Sequence, residues 1–279
     1  MNHQNKEYVP VLTIAGSDSG GGAGIQADIK TMSALGCFAT SVITATTAQN
    51  TLGVYGIHDI PEIHIVLQLQ SILTDIAPKA IKIGMLSRPE VVMAIAKELN
   101  KYPEIPIVFD PVMVATSGDR LIQQETVEVI KSELFPLTHI LTPNLGEASV
   151  ILGREILVKD EMEQAAEEIL KLGPEYVLVK GGHLEGDVVR DVLVAEKSCE
   201  TFESTKLKTK NVHGTGCTLS SAIASFLGRG LTVQESVKQA REYVYSAIEA
   251  GMEVKTGQGN GPLNHFYEPI RMIKHEMVR

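Results

Sequence analysis

The sequence predicts an α/β protein organised around a mostly parallel sheet. Short apolar runs rich in β-branched residues alternate with longer stretches in which apolar residues recur at helical spacing, almost to the end of the 279-residue chain. Such alternation is typical of βαβ units, whose strands lie parallel to one another. The chain shows no internal repeat, low-complexity tract or linker. We therefore expect one domain spanning residues 1–279.

Strands are expected wherever a short apolar, β-branched run is bounded by turn-forming residues. The strands of the parallel sheet are expected at residues 10–15, 38–45, 79–84, 105–109, 138–141 and 176–179. Segment 52–58 has the character of a short edge strand. Segments 188–195 and 201–208 are expected to pair antiparallel, because a polar turn is all that separates them.

Helices are expected between these strands, where apolar residues return every three or four positions. In the first helix Ile25, Ile29 and Met32 keep this spacing, and Gly36 is a stop signal. The remaining helices are expected at residues 61–76, 89–100, 121–135, 161–172, 219–227, 233–250 and 263–277.

One turn carries a chemical signal of its own: Gly214-Thr215-Gly216-Cys217, which we call the anion turn, leads directly into an apolar helix. The first amides of a helix have no intrahelical partner, and the helix dipole is positive at that end. Such a turn is suited to hold a phosphate group. The alternative is an ordinary glycine-rich loop that only starts a helix.

A second glycine-rich segment, residues 16–24, follows the first strand. It lacks the Gly-Lys-Ser/Thr ending of a P-loop and the last glycine of a dinucleotide fingerprint. Its glycines would let a ligand approach the backbone closely. The alternative is a flexible connection between a strand and a helix.

Polar residues follow several of the predicted strands. Asp110 comes directly after strand 105–109, at the strand end where α/β proteins bind ligands. Asn144 and Glu147 follow strand 138–141 with the spacing of a helix capping box. They could equally line a magnesium–phosphate site, with water completing the coordination. The local sequence leaves both interpretations open.

Composition excludes several classes of function. The chain carries 25 Lys and Arg against 34 Asp and Glu, a net charge of −9, which argues against binding to a nucleic-acid backbone or an anionic membrane. We find no apolar stretch long enough for a membrane span and no signal peptide at the polar start of the sequence. Three cysteines without metal spacing or a disulfide framework fit a reduced, cytoplasmic setting.

Together these segments resemble the hydroxymethylpyrimidine/phosphomethylpyrimidine kinases of thiamine biosynthesis. The matching motifs, in the family's order, are residues 16–18 (Gly-Ser-Asp), 21–28 (Gly-Gly-Ala-Gly-Ile-Gln-Ala-Asp), 47–51 (Thr-Ala-Gln-Asn-Thr), 82–86 (Lys-Ile-Gly-Met-Leu), 110–113 (Asp-Pro-Val-Met), 142–144 (Thr-Pro-Asn), 180–183 (Lys-Gly-Gly-His) and 213–220 (His-Gly-Thr-Gly-Cys-Thr-Leu-Ser). The resemblance extends over about residues 11–266. It implies a ribokinase-like fold, a three-layer α/β/α sandwich. It also implies a homodimer that uses ATP and Mg²⁺ to phosphorylate 4-amino-5-hydroxymethyl-2-methylpyrimidine and then its monophosphate.

The resemblance assigns four residues to the substrate. Gln49 would hold the pyrimidine, because a primary amide complements an amino group beside a ring nitrogen. Asp28 would lie near the substrate hydroxyl, and Gly16 and Met85 would complete the pocket wall. Each has a structural alternative: a turn residue for Gln49, a carboxylate on a helix surface for Asp28, and a core filler for Met85.

The resemblance assigns the other site residues to ATP. Cys217 would be the catalytic base or a member of the anion hole formed with Gly214, Thr215 and Gly216. Its position at a helix N-terminus should favour the thiolate, although a small buried residue would also fit there. The remaining residues are Asp110 and Glu147 near magnesium, and Asn144, Lys180 and His213 near the phosphates. The nucleotide base is expected between the loop before Asn211 and the helix that begins near Val233.

Two rival functions remain open from the sequence. Relatives with the same framework phosphorylate pyridoxal or pyridoxine, but in those the position of Gln49 is usually apolar and a second cysteine stands where this chain has Ala115. The other rival is a pyrimidine-binding protein without catalytic turnover. The intact anion turn and Asp110 argue against it.

Overall fold

The computed structural model of the protein describes residues 6–113, 122–156, 158–182, 184 and 186–276. Strands and helices alternate along these residues, as the sequence predicts. The strands are β1 (Lys6–Tyr8), β2 (Pro10–Asp18), β3 (Phe38–Asn50), β4 (Gly53–Asp59), β5 (Ala80–Ile83), β6 (Ile107–Phe109), β7 (Ile140–Leu141), β8 (Tyr176–Lys180), β9 (Val188–Ala195), β10 (Ser198–Thr205) and β11 (Lys274–Glu276). The α-helices are α1 (Gly24–Ala34), α2 (Glu62–Asp75), α3 (Pro89–Leu99), α4 (Gln124–Glu133), α5 (Leu145–Leu152), α6 (Met162–Leu170), α7 (Thr215–Gly228) and α8 (Val233–Glu249).

Nine of these strands form one sheet in the order β10-β9-β8-β7-β6-β5-β2-β3-β4. The six central strands from β8 to β3 run parallel. The outer strands β4, β9 and β10 pair antiparallel with their neighbours. The expected edge strand and the expected antiparallel pair are therefore confirmed.

Helices cover both faces of this sheet, which confirms the three-layer sandwich. Because side chains alternate along a strand, Leu12 and Ile14 face one layer while Val11 faces the other. Helices α2 to α6 pack on the first face, and α1, α7 and α8 on the second. Among the described helices, none combines the length and apolar character that a membrane crossing needs.

The parallel strands bring distant residues to one edge of the sheet. Strands β2, β5, β6, β7 and β8 all end there, so the residues that follow them meet although they are far apart in sequence. Asp18, Met85, Asp110 and Lys180 arrive at this edge in that way. The N-terminus of α7 completes the same edge.

Three sequence-based boundaries need correction. Strand β2 continues to Asp18, so the irregular glycine loop comprises residues 19–23 only, and β3 continues to Asn50 because its second half pairs with β4. The helix expected at 263–277 does not form within its described part. Pro269 removes an amide and disfavours helical geometry at the residue before it, and Lys274–Glu276 instead pairs with β1. Three positions used in the sequence analysis lie outside the described residues: 115 in the comparison with pyridoxal kinases, 121 at the start of an expected helix, and 183 in the motif 180–183.

Candidate active site

A cleft of about 1540 Å³ opens at the carboxyl edge of the parallel strands. It brings together nearly every residue that the sequence singles out. The cleft is lined by, among others, Gly16, Gln49, Lys82, Met85, Asp110, Asn144, Glu147, Lys180, His213, Gly214, Thr215, Gly216 and Cys217. Asp28 is the exception among the predicted site residues.

The anion turn opens α7 in the way the sequence predicts. Gly214 is the N-cap residue and has φ +84°, a conformation that favours glycine. A side chain there would also collide with the backbone, since a Cβ would lie 1.8 Å from the carbonyl oxygen of Gly22. A Cβ on Gly216 would lie 3.4 Å from both Asp110 Oδ2 and Lys180 Nζ. The first amides of α7 therefore face a carboxylate and an ammonium group across a short gap.

Cys217 is half-buried at the floor of the cleft, and its surroundings do not favour the thiolate in the ligand-free protein. Burial raises the pKa of its thiol, Lys82 lowers it, and the charges of Asp28 and Asp110 raise it further. The net direction is upward, so the expectation of a stabilised thiolate needs correction. The helix N-terminus contributes a favourable field, but two nearby carboxylates and the loss of water outweigh it.

A second group of charges lies on the neighbouring strand ends. Lys180 Nζ lies 2.7 Å from Asp110 Oδ1, and Asp110 is buried. Burial alone would lower the pKa of Lys180, but Asp110 and Glu147 raise it above its ordinary value. Burial, together with the charge of Asp110, raises the pKa of Glu147 against the opposing effect of Lys180. This pocket therefore holds two carboxylates and one ammonium group with little water to screen them.

Asn144 and Glu147 form the capping box of α5. The Glu147 amide donates to Asn144 Oδ1 at 2.9 Å, and the Asn144 amide donates to Glu147 Oε2 at 2.8 Å. The structural interpretation is thus confirmed, and the metal interpretation is not excluded by it. Within the described residues no group of three or more His, Cys, Asp or Glu could hold a metal ion. Two carboxylates nonetheless fit Mg²⁺, which keeps several waters and takes phosphate oxygens as ligands.

Asp28 is not on the cleft wall, so its predicted contact with the substrate hydroxyl needs correction. It is fully buried and bound by Lys82 Nζ at 2.9 Å and 3.0 Å, by Thr13 Oγ1 at 2.6 Å, and by the Ser221 hydroxyl. Burial alone would lower the pKa of Lys82, but Asp28, Cys217 and Asp110 raise it. Lys82 lies on the floor of the cleft beside Cys217 and is the charged residue that sequence reasoning gave no role. A lysine in the buried, otherwise apolar strand β5 was the available signal, because such a charge needs a buried partner.

The predicted pyrimidine pocket does come together. Gly16 lies against Met85, whose Cε would be 3.1 Å from a Cβ at position 16. Gln49 lines the same cleft from the end of β3, where its backbone amide donates to Ser19 Oγ at 2.8 Å. The Thr47 hydroxyl lies 3.2 Å from Gln49 Oε1 and 3.0 Å from the carbonyl oxygen of Ser17, so it can donate to either. These three residues form an apolar slot with one amide at its rim.

His213 lines the cleft and also has a partner that the sequence does not predict. The ring is buried and its Nε2 lies 3.0 Å from Asp18 Oδ2, directly before the glycine loop. Sequence reasoning missed Asp18 as its partner because 195 residues separate the two in the chain. Asn144 and Lys180, the other predicted phosphate residues, line the same cleft.

Comparisons with known proteins agree with this geometry. A family model described as phosphomethylpyrimidine kinase matches residues 18–264. The hydroxymethylpyrimidine/phosphomethylpyrimidine kinase of Rhizobium meliloti is 47% identical over 257 residues, covering 92% of this chain and 96% of that protein. The crystal structure of phosphomethylpyrimidine kinase from Clostridium difficile has a TM-score of 0.77 at 46% identity and covers 86% of this chain and 99% of its own.

A pyridoxal kinase shares the fold as well. The ADP complex of the Bacillus subtilis enzyme has a TM-score of 0.86 at 34% identity, covering 93% of this chain and 98% of that one. The fold of this pyridoxal kinase is thus at least as similar to that of our chain as the fold of the pyrimidine kinase is, although its sequence is less similar. The overall fold therefore does not separate the two substrate classes, and the discrimination has to come from the residues of the site.

Proposed function

Because the chain belongs to the phosphomethylpyrimidine kinase family, we propose that its cleft performs two phosphorylations of thiamine biosynthesis. The γ-phosphoryl group of ATP passes first to the hydroxymethyl oxygen of 4-amino-5-hydroxymethyl-2-methylpyrimidine. A second ATP then phosphorylates the resulting monophosphate and gives the pyrophosphate. The observation that carries this proposal is that the slot of Gln49, Gly16 and Met85 and the anion turn line one cleft.

Each side of the cleft has a defined part in the transfer. The slot holds the flat pyrimidine while the amide of Gln49 pairs with its amino group and ring nitrogen. The amides at the start of α7 and the Lys180 ammonium hold the terminal phosphate oxygens and stabilise their charge. Cys217 takes the proton of the acceptor hydroxyl as that oxygen bonds to the γ-phosphorus and ADP leaves with the former bridging oxygen.

Mg²⁺ belongs to the proposal as the partner of ATP. When bound, it would neutralise charge on the phosphate oxygens. Asp110 and Glu147 would hold it, largely through water, because Asp110 already accepts from Lys180 and Glu147 already caps α5.

The nucleotide base is proposed to lie at the end of the cleft between two segments. Leu207 and Val212 line it from the loop before α7, and Val244, Tyr245 and Ile248 line it from α8. These mostly apolar walls suit a flat aromatic base. This location agrees with the position expected from the sequence.

Turnover on the hydroxymethylpyrimidine is expected to exceed turnover on pyridoxal by a wide margin. We compare kcat/KM for the two substrates with ATP and Mg²⁺. Gln49→Leu should lower kcat/KM for the pyrimidine by about 5- to 150-fold, since it removes a two-point pairing worth about 1–3 kcal/mol. Its effect on pyridoxal should be small.

Gln124→Leu is the matched control, because Gln124 pairs with Glu128 on an exposed helix surface. A preference of the wild type for pyridoxal would overturn the substrate assignment. Binding of the pyrimidine without any consumption of ATP would instead favour the non-catalytic alternative.

We also propose a homodimer that uses the edge strand β4. Leu52 and Tyr55, in and beside this strand, expose 59% and 69% of their surface, and Ile63, at the start of the following helix, exposes 67%. Large apolar residues grouped on a sheet edge usually mark an interface. Light scattering should give the dimer mass for the wild type and the monomer mass for Tyr55→Asp. Met93→Asp, on the exposed side of α3, should remain dimeric; a monomeric wild type would contradict the proposal.

The domain organisation, the localisation and the absence of further partners are each proposed from a single observation. One nine-stranded sheet includes every described strand from β2 to β10, which supports a single ribokinase-like domain. The cysteines Cys37, Cys199 and Cys217 are all free, which supports a reduced, cytoplasmic setting. The net charge of −9 supports the absence of nucleic-acid and membrane partners.

A further inference from the structure

Two segments that are far apart in sequence meet beside the cleft. The glycine loop of residues 19–23 lies between β2 and α1, and its last residue, Ala23, lines the cleft. Residues 212–214 lie before α7, on the side of the proposed phosphate position. The spacing between acceptor and phosphate therefore depends on how these two segments are held together.

Asp18 organises the glycine loop from within. Its Oδ1 accepts from the Gly20 amide at 2.8 Å, and its Oδ2 accepts from the amides of Gly22 and Ala23 at 3.1 Å and 2.9 Å. Burial alone would raise the pKa of Asp18, but hydrogen bonds from His213 and from these amides lower it, so the carboxylate is ionised at neutral pH. Three backbone amides of the loop thus converge on one buried anion.

His213 brings the second segment to the same anion. Its Nε2 lies 3.0 Å from Asp18 Oδ2. Because an ionised carboxylate can only accept, Nε2 must carry the hydrogen and donate it. The backbone amide of His213 also donates to the carbonyl oxygen of Gly261 at 3.1 Å, which anchors the residue on the side away from the loop.

Close backbone packing supports the same junction. A Cβ on Gly22 would lie 2.4 Å from His213 Cδ2, and a Cβ on Gly214 would lie 1.8 Å from the carbonyl oxygen of Gly22. The backbone of the loop therefore packs directly against the His213 ring and against Gly214. Any displacement of the loop would alter the position of the N-terminus of α7 relative to the pyrimidine slot.

We propose that His213 is a positioning residue that fixes the glycine loop against the anion turn through its hydrogen bond to Asp18. The junction sets the distance between the acceptor oxygen and the γ-phosphate and closes the cleft to water. The role differs from direct contact with phosphate, which the family resemblance implies for this position. The catalytic part of the proposal rests on the proposed function, whereas the structural part does not.

The comparison of His213→Ala with His213→Gln tests the proposal. A glutamine amide can place its N–H near the position of Nε2 and donate to Asp18, whereas alanine cannot. His213→Ala should lower kcat for pyrimidine phosphorylation by about 10²-fold, the cost of misplacing reacting groups by about 1 Å. It should also raise ATP hydrolysis relative to transfer, and His213→Gln should restore both quantities most of the way.

Hydrogen exchange gives a readout that does not need activity. In His213→Ala the amides of residues 20, 22 and 23 should exchange faster than in the wild type, and in His213→Gln they should stay protected. His139→Ala is the matched control, because it removes another His–carboxylate pair, at 2.9 Å from Glu175, outside the cleft. It should change neither exchange in the loop nor the ratio of hydrolysis to transfer.

Two results would overturn the proposal. One is that His213→Gln is as inactive as His213→Ala and that both variants have a raised KM for ATP. This result would indicate that His213 contacts the phosphate. The other is unchanged loop exchange in His213→Ala. Asp18→Asn provides a second test: its effect on kcat should be non-additive with that of His213→Ala, and additivity would count against the junction. If the wild type fails to phosphorylate the pyrimidine while loop exchange responds as expected, only the proposed function fails.

Discussion

Replacing Cys217 by alanine is expected to lower kcat for the first phosphorylation by about 10²- to 10⁴-fold, the usual contribution of a general base. Binding of the pyrimidine should remain nearly intact, because the slot is formed by Gly16, Gln49 and Met85. The second phosphorylation should lose much less. Its acceptor is a phosphate oxygen that is already deprotonated near pH 7, since the second pKa of a phosphate monoester is about 6.

The two steps should be measured separately, each with its own acceptor. Cys199→Ala is the control, because Cys199 is a free and exposed cysteine. Equal losses in both steps would show that Cys217 stabilises the transferring phosphoryl group and does not act as a base. Unchanged rates in both steps would show that Cys217 has no catalytic role.

The dependence on pH provides a further check on Cys217. A base acts only when deprotonated, and burial raises the pKa of this thiol. We therefore expect kcat/KM of the first step to increase with pH through the neutral and into the alkaline range. Cys217→Ser should lose this rise, because a hydroxyl does not ionise there. A serine variant with high activity and the same pH profile would indicate that position 217 donates a hydrogen bond to the anion.

Breaking the ion pair of Asp28 and Lys82 is expected to have the largest effect on stability. Both side chains are fully buried, and the pair joins α1 to β5. Asp28→Asn leaves the Lys82 ammonium without its counter-charge, which typically costs about 3–5 kcal/mol. Lys82→Met should be costly for the same reason, with Asp28 retaining only the hydroxyl donors Thr13 and Ser221. The free energy of unfolding in urea measures both.

The double variant Lys82→Met/Asp28→Asn distinguishes the loss of the charge pairing from the cost of changing each side chain. It removes both charges, so it should be less destabilised than the sum of the single variants. Arg154→Met is the matched control, since Arg154 and Glu168 form a partly exposed pair at 2.9 Å that should contribute less than about 1 kcal/mol. A large rise in KM for the pyrimidine in Asp28→Asn, without loss of stability, would restore the substrate contact implied by the family resemblance.

The fold was largely predictable because each element carries its own local signal. Short apolar runs and helical spacing indicated the parallel strands and most helices, and the parallel sheet followed from their alternation. The failures arose where a contact distant in sequence decides the local structure. The second half of β3 is a strand because β4 pairs with it, and residues 274–276 are a strand because β1 does.

The site was predictable as a set of residues but not as a set of contacts. Glycines, strand-end polar residues and the cysteine in the first turn of α7 stood out in the sequence, and they do meet in one cleft. The sequence did not show which of these residues contact one another. Nothing near Asp28 in sequence points to Lys82, 54 residues on, and nothing near His213 points to Asp18.

The sequence alone thus determined the fold class, the family and the chemistry available to the cleft, since these depend on residue types and on spacings within short segments. Only the tertiary structure decided which charges neutralise one another. Through burial and neighbouring carboxylates it also raised the pKa values of Cys217 and Glu147. The physical reason is that electrostatic energies depend on distance and on exclusion of water. Both quantities exist only once the sheet has brought remote strand ends together.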